Sequence, residues 1–303
     1  MSMRQTVRLL LCRTRVGGML GQLPMVKKAY SRRALALRHH PGIFSGIYSS
    51  YEAAFAQIGP RSRAGWDNAE AASIWLDRPD PVQPSTYPLF FWLTQIARND
   101  ATVLDYGGSI GLTYYGFRRL ASLPPGLRWV VVEVPSIVAQ GRAMAERHFA
   151  RGLEFIPNLE TAPDADILIC AGALQYMRQA VPGLLETITG RPRHIILNKL
   201  PLTTGEEYWT LQNFGPAVSP YRVFNRERFM AYFETAGYAL RDEWTVAELA
   251  CDIPFYPQYN VPQFTGMYLE HVAPVDSGRT DHASRSTADH LSATATAVAG
   301  GLQ

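Results

Sequence analysis

Apolar residues beyond position 100 fall in short unbroken runs, separated by segments of helical length. Thr102–Asp105, Arg128–Glu133, Leu153–Ile156, Asp166–Cys170 and His194–Leu197 read as strands. Trp129-Val130-Val131-Val132 and Ile167-Leu168-Ile169-Cys170 are apolar at every position, which marks strands covered on both faces. Amphipathic segments between them predict helices over about Leu112–Ala121, from Pro135 towards Phe149, around Leu184, Leu185 and Ile188, and over Asn225–Ala236. Pro135 suits a first helical position and Gly237 a position just past a helix end. Strands at about Tyr238–Thr245 and Phe264–His271 have no helix between them and are expected to pair antiparallel at one edge. Strand and helix in alternation predict an α/β fold: a doubly wound, mostly parallel seven-stranded sheet with an antiparallel edge strand.

The chain divides into a basic N-terminal segment (1–40), a helical N-terminal extension (41–99), a Rossmann-like domain (100–273) and a tail (274–303) of Ser, Thr, Ala and Gly without apolar period, expected to be disordered. In the extension, Ser49 or Ser50 can cap a helix through Ala53, Ala54 and Phe55. Further helices are expected after Asp67 and over Tyr87–Ala97. Two connections, Lys199–Phe224 and Val246–Gln263, are longer than connections need to be. Their aromatic content (Trp209, Phe214, Tyr221, Phe255, Tyr256, Tyr259) reads as two lids over a site.

Charge sharpens this division. The net of +3 over 303 residues averages a +9 head and a −6 body, because residues 1–51 hold nine Lys or Arg and no acid. An acidic body argues against nucleic acid as a partner. The head reads as a peripheral contact with an anionic membrane, a dimer contact, a disordered segment or an organelle transit peptide. No apolar run is long enough to span a bilayer. Three scattered cysteines make neither a disulfide framework nor a zinc site, which fits a reducing, cytoplasmic setting and no metal.

Candidate chemistry gathers at the strand ends. Val103-Leu104-Asp105 runs into Tyr106-Gly107-Gly108-Ser109-Ile110-Gly111, a strand, an acid and a Gly-rich turn opening a helix. Ligands of open α/β sheets bind beyond such carboxyl ends. The dinucleotide pattern G-x-G-x-x-G is absent, and Asp105 would repel a pyrophosphate. It suits a ligand with a cationic amino-acid end, such as S-adenosyl-L-methionine. Glu133 ends the next strand, where an acid can take both ribose hydroxyls. After Cys170 comes Ala171-Gly172-Ala173-Leu174-Gln175-Tyr176. Its small residues can let a cofactor pass, and Gln175 and Tyr176 either face the reacting groups or cap the next helix. His194 and His271 read as core or edge residues, His148 as exposed, and Glu206 and Glu207 as a solvated turn.

These residues resemble the class I S-adenosylmethionine-dependent methyltransferases, and more narrowly a bacterial family found near polysaccharide and natural-product genes. The matching stretches run from Gly42-Ile43-Phe44-Ser45-Gly46-Ile47-Tyr48, with Glu52-Ala53, through Leu104–Ser109 with Tyr114-Tyr115, and Trp129–Glu133. They continue through Leu174-Gln175-Tyr176, Asn198-Lys199-Leu200-Pro201-Leu202, Thr210-Leu211-Gln212-Asn213 and Pro220-Tyr221. Arg78–Pro84 departs from the pattern, which has an acidic segment there. The resemblance implies the cofactor and the fold. Asp105, Gly107, Gly108, Ser109, Gly111, Glu133, Gly172 and Leu174 are then the cofactor candidates. Gln175, Tyr176, Gln212 and Tyr221 are the catalytic ones. The expected activity is methyl transfer, with oxygen favoured, to a small-molecule or sugar acceptor. A non-catalytic methyltransferase-like protein and a nucleotide-dependent oxidoreductase are the alternatives.

Overall fold

The computed structural model describes residues 11–12, 14, 19, 23–36, 42–59, 65–74, 76, 82–179 and 181–272. The tail assigned to 274–303 and most of residues 1–22 lie outside the described residues. From the N-terminus the elements are α1 (Pro24–Ala36), β1 (Ile43–Tyr48), α2 (Tyr51–Phe55), α3 (Ala69–Ser73) and α4 (Thr86–Ile96). Then come β2 (Thr102–Tyr106), α5 (Leu112–Leu120), β3 (Arg128–Val132), α6 (Pro135–Arg147), β4 (Leu153–Ile156), β5 (Ile167–Ala171), α7 (Val181–Thr187) and β6 (His194–Leu200). The chain ends in β7 (Leu202–Thr203), β8 (Tyr208–Asn213), β9 (Val218–Asn225), α8 (Arg226–Thr235), β10 (Tyr238–Val246) and β11 (Phe264–His271).

Seven strands form the main sheet in the order β10-β11-β6-β5-β2-β3-β4. β2 to β6 are parallel, and β11 runs against both its neighbours. The last two strands therefore do pair antiparallel at one edge, with the reversed strand β11 one place in from β10. The apolar runs are explained by alternation. Leu104, Val130, Val132, Leu168 and Leu197 point to one face, where Leu184, Phe229 and Phe233 cover them. Val103, Trp129, Val131, Ile169 and Ile196 point to the other, under Leu89, Leu93, Tyr114, Phe117 and Val138. With helices on both faces the central strands β2, β3 and β5 bury nearly every position and lose the alternating polarity of a one-sided sheet, while the edge strand β4 keeps Glu154 exposed.

A second sheet, ordered β1-β8-β9-β7, corrects two expectations. Ile43–Tyr48, placed in a region expected to be helical, is a strand antiparallel to β8. Most of Lys199–Phe224 is not a loop lid but the β8–β9 hairpin, with Thr210 facing Tyr221 and Gln212 facing Ser219. The pairing partner of β8 lies more than 150 residues earlier, so no local pattern announces it. Of the expected helices, α2 starts on Ser50, whose side chain accepts from Ala53 N, and α3 starts on Asn68 in the same way.

The basic head is partly docked. α1 lays Lys27, Tyr30, Ser31, Ala34 and Leu35 against the second sheet and the segment after β10, a spacing of three and four that gives one helical face. Ser45 Oγ donates to Ser31 Oγ at 2.9 Å, and Asn213 Nδ2 donates to Ala34 O at 2.8 Å. Lys27 Nζ donates to Tyr256 OH at 2.9 Å. Lys28, Arg32 and Arg33 stay exposed.

Gly141 of α6 shows how tightly the helix layer sits. A Cβ built there would lie 2.3 Å from the ring of Phe155 in β4, itself buried. Alanine gains about 1 kcal/mol of helix propensity over glycine, but overpacking costs about 1–3 kcal/mol. Gly141→Ala is expected to lower stability by up to about 2 kcal/mol in urea denaturation, against the propensity trend.

Candidate active site

β3 and β4 lie on one side of β2, and β5 and β6 on the other, so the winding reverses between β2 and β5. Such a reversal opens a crevice beyond the strand ends. A cavity of about 960 Å³ occupies it, closed on the far side by β1, β8 and β9 of the second sheet.

The floor is the turn after β2. Gly107 and Gly111 have φ of 69° and 91°, and Ser109 is held at 56°. A Cβ on Gly107 would stand 2.1 Å from the Cβ of Ala173, in the turn after β5. A Cβ on Gly108 would stand 2.5 Å from the carboxylate of Asp105. Both glycines are thus required by close approach, and the backbone they leave bare faces the cavity. Gly107 N donates to Val132 O at 2.9 Å, tying the turn to β3.

Asp105 lies beneath this floor, fully buried and off the cavity surface. Its Oδ2 accepts from Trp129 Nε1 at 3.2 Å, and its Oδ1 has no partner. Burial pushes its pKa up from 3.8 to about 7. The Trp129 hydrogen bond opposes the shift and the charge of Glu133 adds to it. Glu133, one residue past β3, does reach the cavity. Its Oε1 accepts from Ser109 N at 3.1 Å and its Oε2 from Val134 N at 3.0 Å. Burial raises its pKa, and these two N–H groups oppose the rise. The Ser109 hydroxyl is buried without a partner.

The turn after β5 supplies the next wall. Gly172 has φ of 108°. Gln175 is buried, with Nε2 donating to Gly172 O at 2.9 Å and Oε1 unpartnered. Tyr176 OH donates to Gln212 Oε1 on β8. Burial raises the phenols of Tyr176 and Tyr221 well above the ordinary 10, so both stay protonated near neutrality. An aromatic chain then runs along the cavity. Phe214 stacks on Trp66 at 3.9 Å between ring centres, and Trp66 meets Tyr176 edge-on at 5.3 Å. Tyr176 meets Tyr221 at 5.2 Å, and Tyr221 meets Phe44 of β1 at 5.0 Å.

Nine of the twelve expected site residues line this one cavity: Gly107, Gly108, Ser109, Glu133, Gly172, Gln175, Tyr176, Gln212 and Tyr221. Asp105, Gly111 and Leu174 do not. Gly111 caps α5 and packs near Leu153 and Tyr115, and Leu174 belongs to the core. Trp66, Asp67, Phe214, Asn198, Lys199 and Glu248 line the cavity without having been singled out as site residues. Asn198 and Lys199 stand in one of the resemblance stretches, which was the available signal. Trp66 and Glu248 carried none. Among the described residues no histidine lines the cavity, and His194 is a core residue with Nδ1 2.8 Å from Tyr268 OH. Among the described residues no cluster of His, Cys, Asp or Glu could hold a metal ion.

No family model and no curated protein matches the sequence. Solved structures similar in chain course include the 1,6-didemethyltoxoflavin-N1-methyltransferase of Burkholderia thailandensis, at 17% identity over 67% of this chain and 83% of that one, with a TM-score of 0.44. The CcbJ methyltransferase of Streptomyces caelestis follows at 14% identity over 69% and 98%, TM-score 0.45. The magnesium protoporphyrin IX methyltransferase of Synechocystis shows 12% identity over 69% and 89%, TM-score 0.44.

The buried acid under the floor has a consequence in pH. With a folded pKa near 7 and an ordinary value of 3.8, Asp105 ionises first in the unfolded chain. It then favours unfolding as pH rises through that window. Asp105→Asn can still accept from Trp129. It is expected to raise the melting temperature at pH 8, with the gain shrinking to nothing by about pH 4 in a thermal denaturation series.

Proposed function

We propose that this chain is an S-adenosyl-L-methionine-dependent methyltransferase acting on a small-molecule or sugar acceptor, with oxygen the favoured receiving atom. One observation carries the reading. The bare Gly107–Ser109 turn lies at the reversal between β2 and β5, over a buried acid, and Glu133 at the end of β3 faces the same cavity.

The residues fit such a cofactor. Its ribose hydroxyls find a carboxylate in Glu133, which has lone pairs beyond those taken by Ser109 N and Val134 N. Among the described residues, its cationic end meets a lining with three carboxylates, Asp67, Glu133 and Glu248, and one ammonium. The same charge disfavours a dinucleotide pyrophosphate and so the oxidoreductase alternative. The unpartnered Ser109 hydroxyl is a donor and acceptor beside that crevice. A cavity of about 960 Å³ is at the large end for small-molecule sites, which suits a cofactor and a compact acceptor together.

When bound, the cofactor supplies an electrophilic methyl group, so the protein's part is alignment and exclusion of water. Tyr176 and Tyr221 remain protonated, and Gln212 accepts from Tyr176, so these three shape and orient rather than remove a proton. Gln175, anchored on Gly172 O, orients beside them. Asp105 acts from below the floor as a positioning residue. The exposed Lys28, Arg32 and Arg33 of α1 support a peripheral contact with anionic lipid. No helix among the described residues is long and apolar enough to cross a membrane. A cytoplasmic location belongs to the same proposal, supported by three buried cysteine thiols.

S-adenosylhomocysteine is expected to bind the full chain in calorimetry, and Glu133→Ala to weaken it at least tenfold, about 1.4 kcal/mol, with the circular dichroism spectrum unchanged. Absence of binding heat from the unaltered protein would sink the cofactor reading.

A further inference from the structure

Lys199 is the one cation lining the cavity among the described residues. Its backbone is held at φ of 60°, the left-handed region, which is unfavourable for a residue with a side chain. Such a conformation persists where the surroundings over-determine it. Here they do. Lys199 N donates to Asn198 Oδ1 at 3.0 Å, and Trp244 Nε1 of β10 donates to the same oxygen at 3.2 Å. Asn198 Nδ2 donates to Ser85 O, just before α4, at 3.0 Å. Three distant parts of the chain therefore fix the end of β6 from which the Lys199 side chain starts.

The stem of that side chain lies across Gly172. A Cβ built on this glycine would stand 3.4 Å from Lys199 Cδ and 3.7 Å from its Cβ. The small residue after β5 thus makes room for a lysine as well as for a ligand. Glu248 also lines the cavity. Its carboxylate is engaged by Ser85, whose N–H donates to Oε1 at 3.2 Å and whose hydroxyl donates to the same oxygen. Burial pushes Glu248 up, but these bonds and the charge of Lys199 outweigh it and hold it ionised.

Position puts Lys199 on the flank opposite Glu133, with its stem against Gly172. β6 is two strands from β2, on the side away from β3, so the end of β6 is roughly 10 Å from the floor turn and farther from Glu133. Tyr176, which follows β5, carries the aromatic wall on this flank.

We propose that Lys199 selects the acceptor, its ammonium taking a carboxylate borne on a ring that packs against Trp66, Tyr176 and Tyr221. This rests on the methyltransferase reading and names the substrate class of that site. Among the described lining residues Lys199 is the one charged group that attracts an anion, and a carboxylate brings one negative charge where a phosphate brings two, so it meets less repulsion from the neighbouring carboxylates.

The test uses the full chain and two isosteric probes, 2-naphthoate and the neutral 2-naphthamide, titrated by calorimetry with and without S-adenosylhomocysteine. Naphthoate is expected to bind at least tenfold tighter than naphthamide. Lys199→Gln removes that preference while leaving naphthamide and S-adenosylhomocysteine affinities within twofold, and Lys199→Arg keeps it. The proposal is overturned if the unaltered protein shows no preference, or if the preference survives Lys199→Gln. It is also overturned if Lys199→Gln weakens S-adenosylhomocysteine tenfold, which assigns the ammonium to the cofactor's carboxylate. A naphthoate preference that depends on Lys199, with no heat from S-adenosylhomocysteine, retires the cofactor reading and leaves the carboxylate site standing.

Discussion

The approach of Gly107 to Ala173 is the contact on which the cavity depends. A Cβ on Gly107 would overlap that of Ala173 at 2.1 Å, so the turns after β2 and β5 meet as backbone against a methyl group. Any larger pair would push the two turns apart. The reversal of winding at this point would then lose its floor, since Gly107 N is also bonded to β3 through Val132 O. Beneath the same turn Gly108 leaves space for the Asp105 carboxylate, which Trp129 holds from the next strand. Three adjacent strands are thereby locked at their carboxyl ends, where a ligand would sit.

The opposite wall has a different origin. β1 comes from the N-terminal region and pairs with β8, so the hairpin after β6 becomes a sheet rather than a flap. α1 supports that sheet from behind through Ser31 and Ala34. The basic head, which by charge alone stood apart from the site, is therefore joined to it mechanically: Phe44 of β1 faces the cavity while its neighbour Ser45 holds α1. Two charged side chains of the cavity come from opposite flanks of the sheet. Glu133 follows β3 on one flank, and Lys199 stands near the end of β6 on the other.

Legibility in the sequence followed the range of the interaction. Strands β3 and β5 were readable because burial on both faces leaves an unbroken apolar run, a local signature, and the helices between them marked the rest of the alternation. The Gly-rich turn was readable because positive φ and close approach demand glycine at particular places in the chain. β1, β8 and β9 were not, because their pairing joins Ile43 with Asn213 and Tyr208 with Val223, and the composition of each segment alone fits a loop as well. Asp105 illustrates a half-success. Its position before the turn was visible, but whether its carboxylate faces the ligand or the protein depends on Trp129 and on the missing side chain at Gly108.

By itself the sequence determined the α/β alternation, the place of the crevice at the end of β2 and the acids Asp105 and Glu133 near it, since each follows from local pattern and backbone sterics. The tertiary structure alone decided which side chains share the cavity. Trp66, Lys199, Gln212 and Glu248 are far apart in the chain, and their meeting is set by strand order and by the second sheet. Side-chain direction at such a site is a property of packing between distant segments, and no local pattern encodes it.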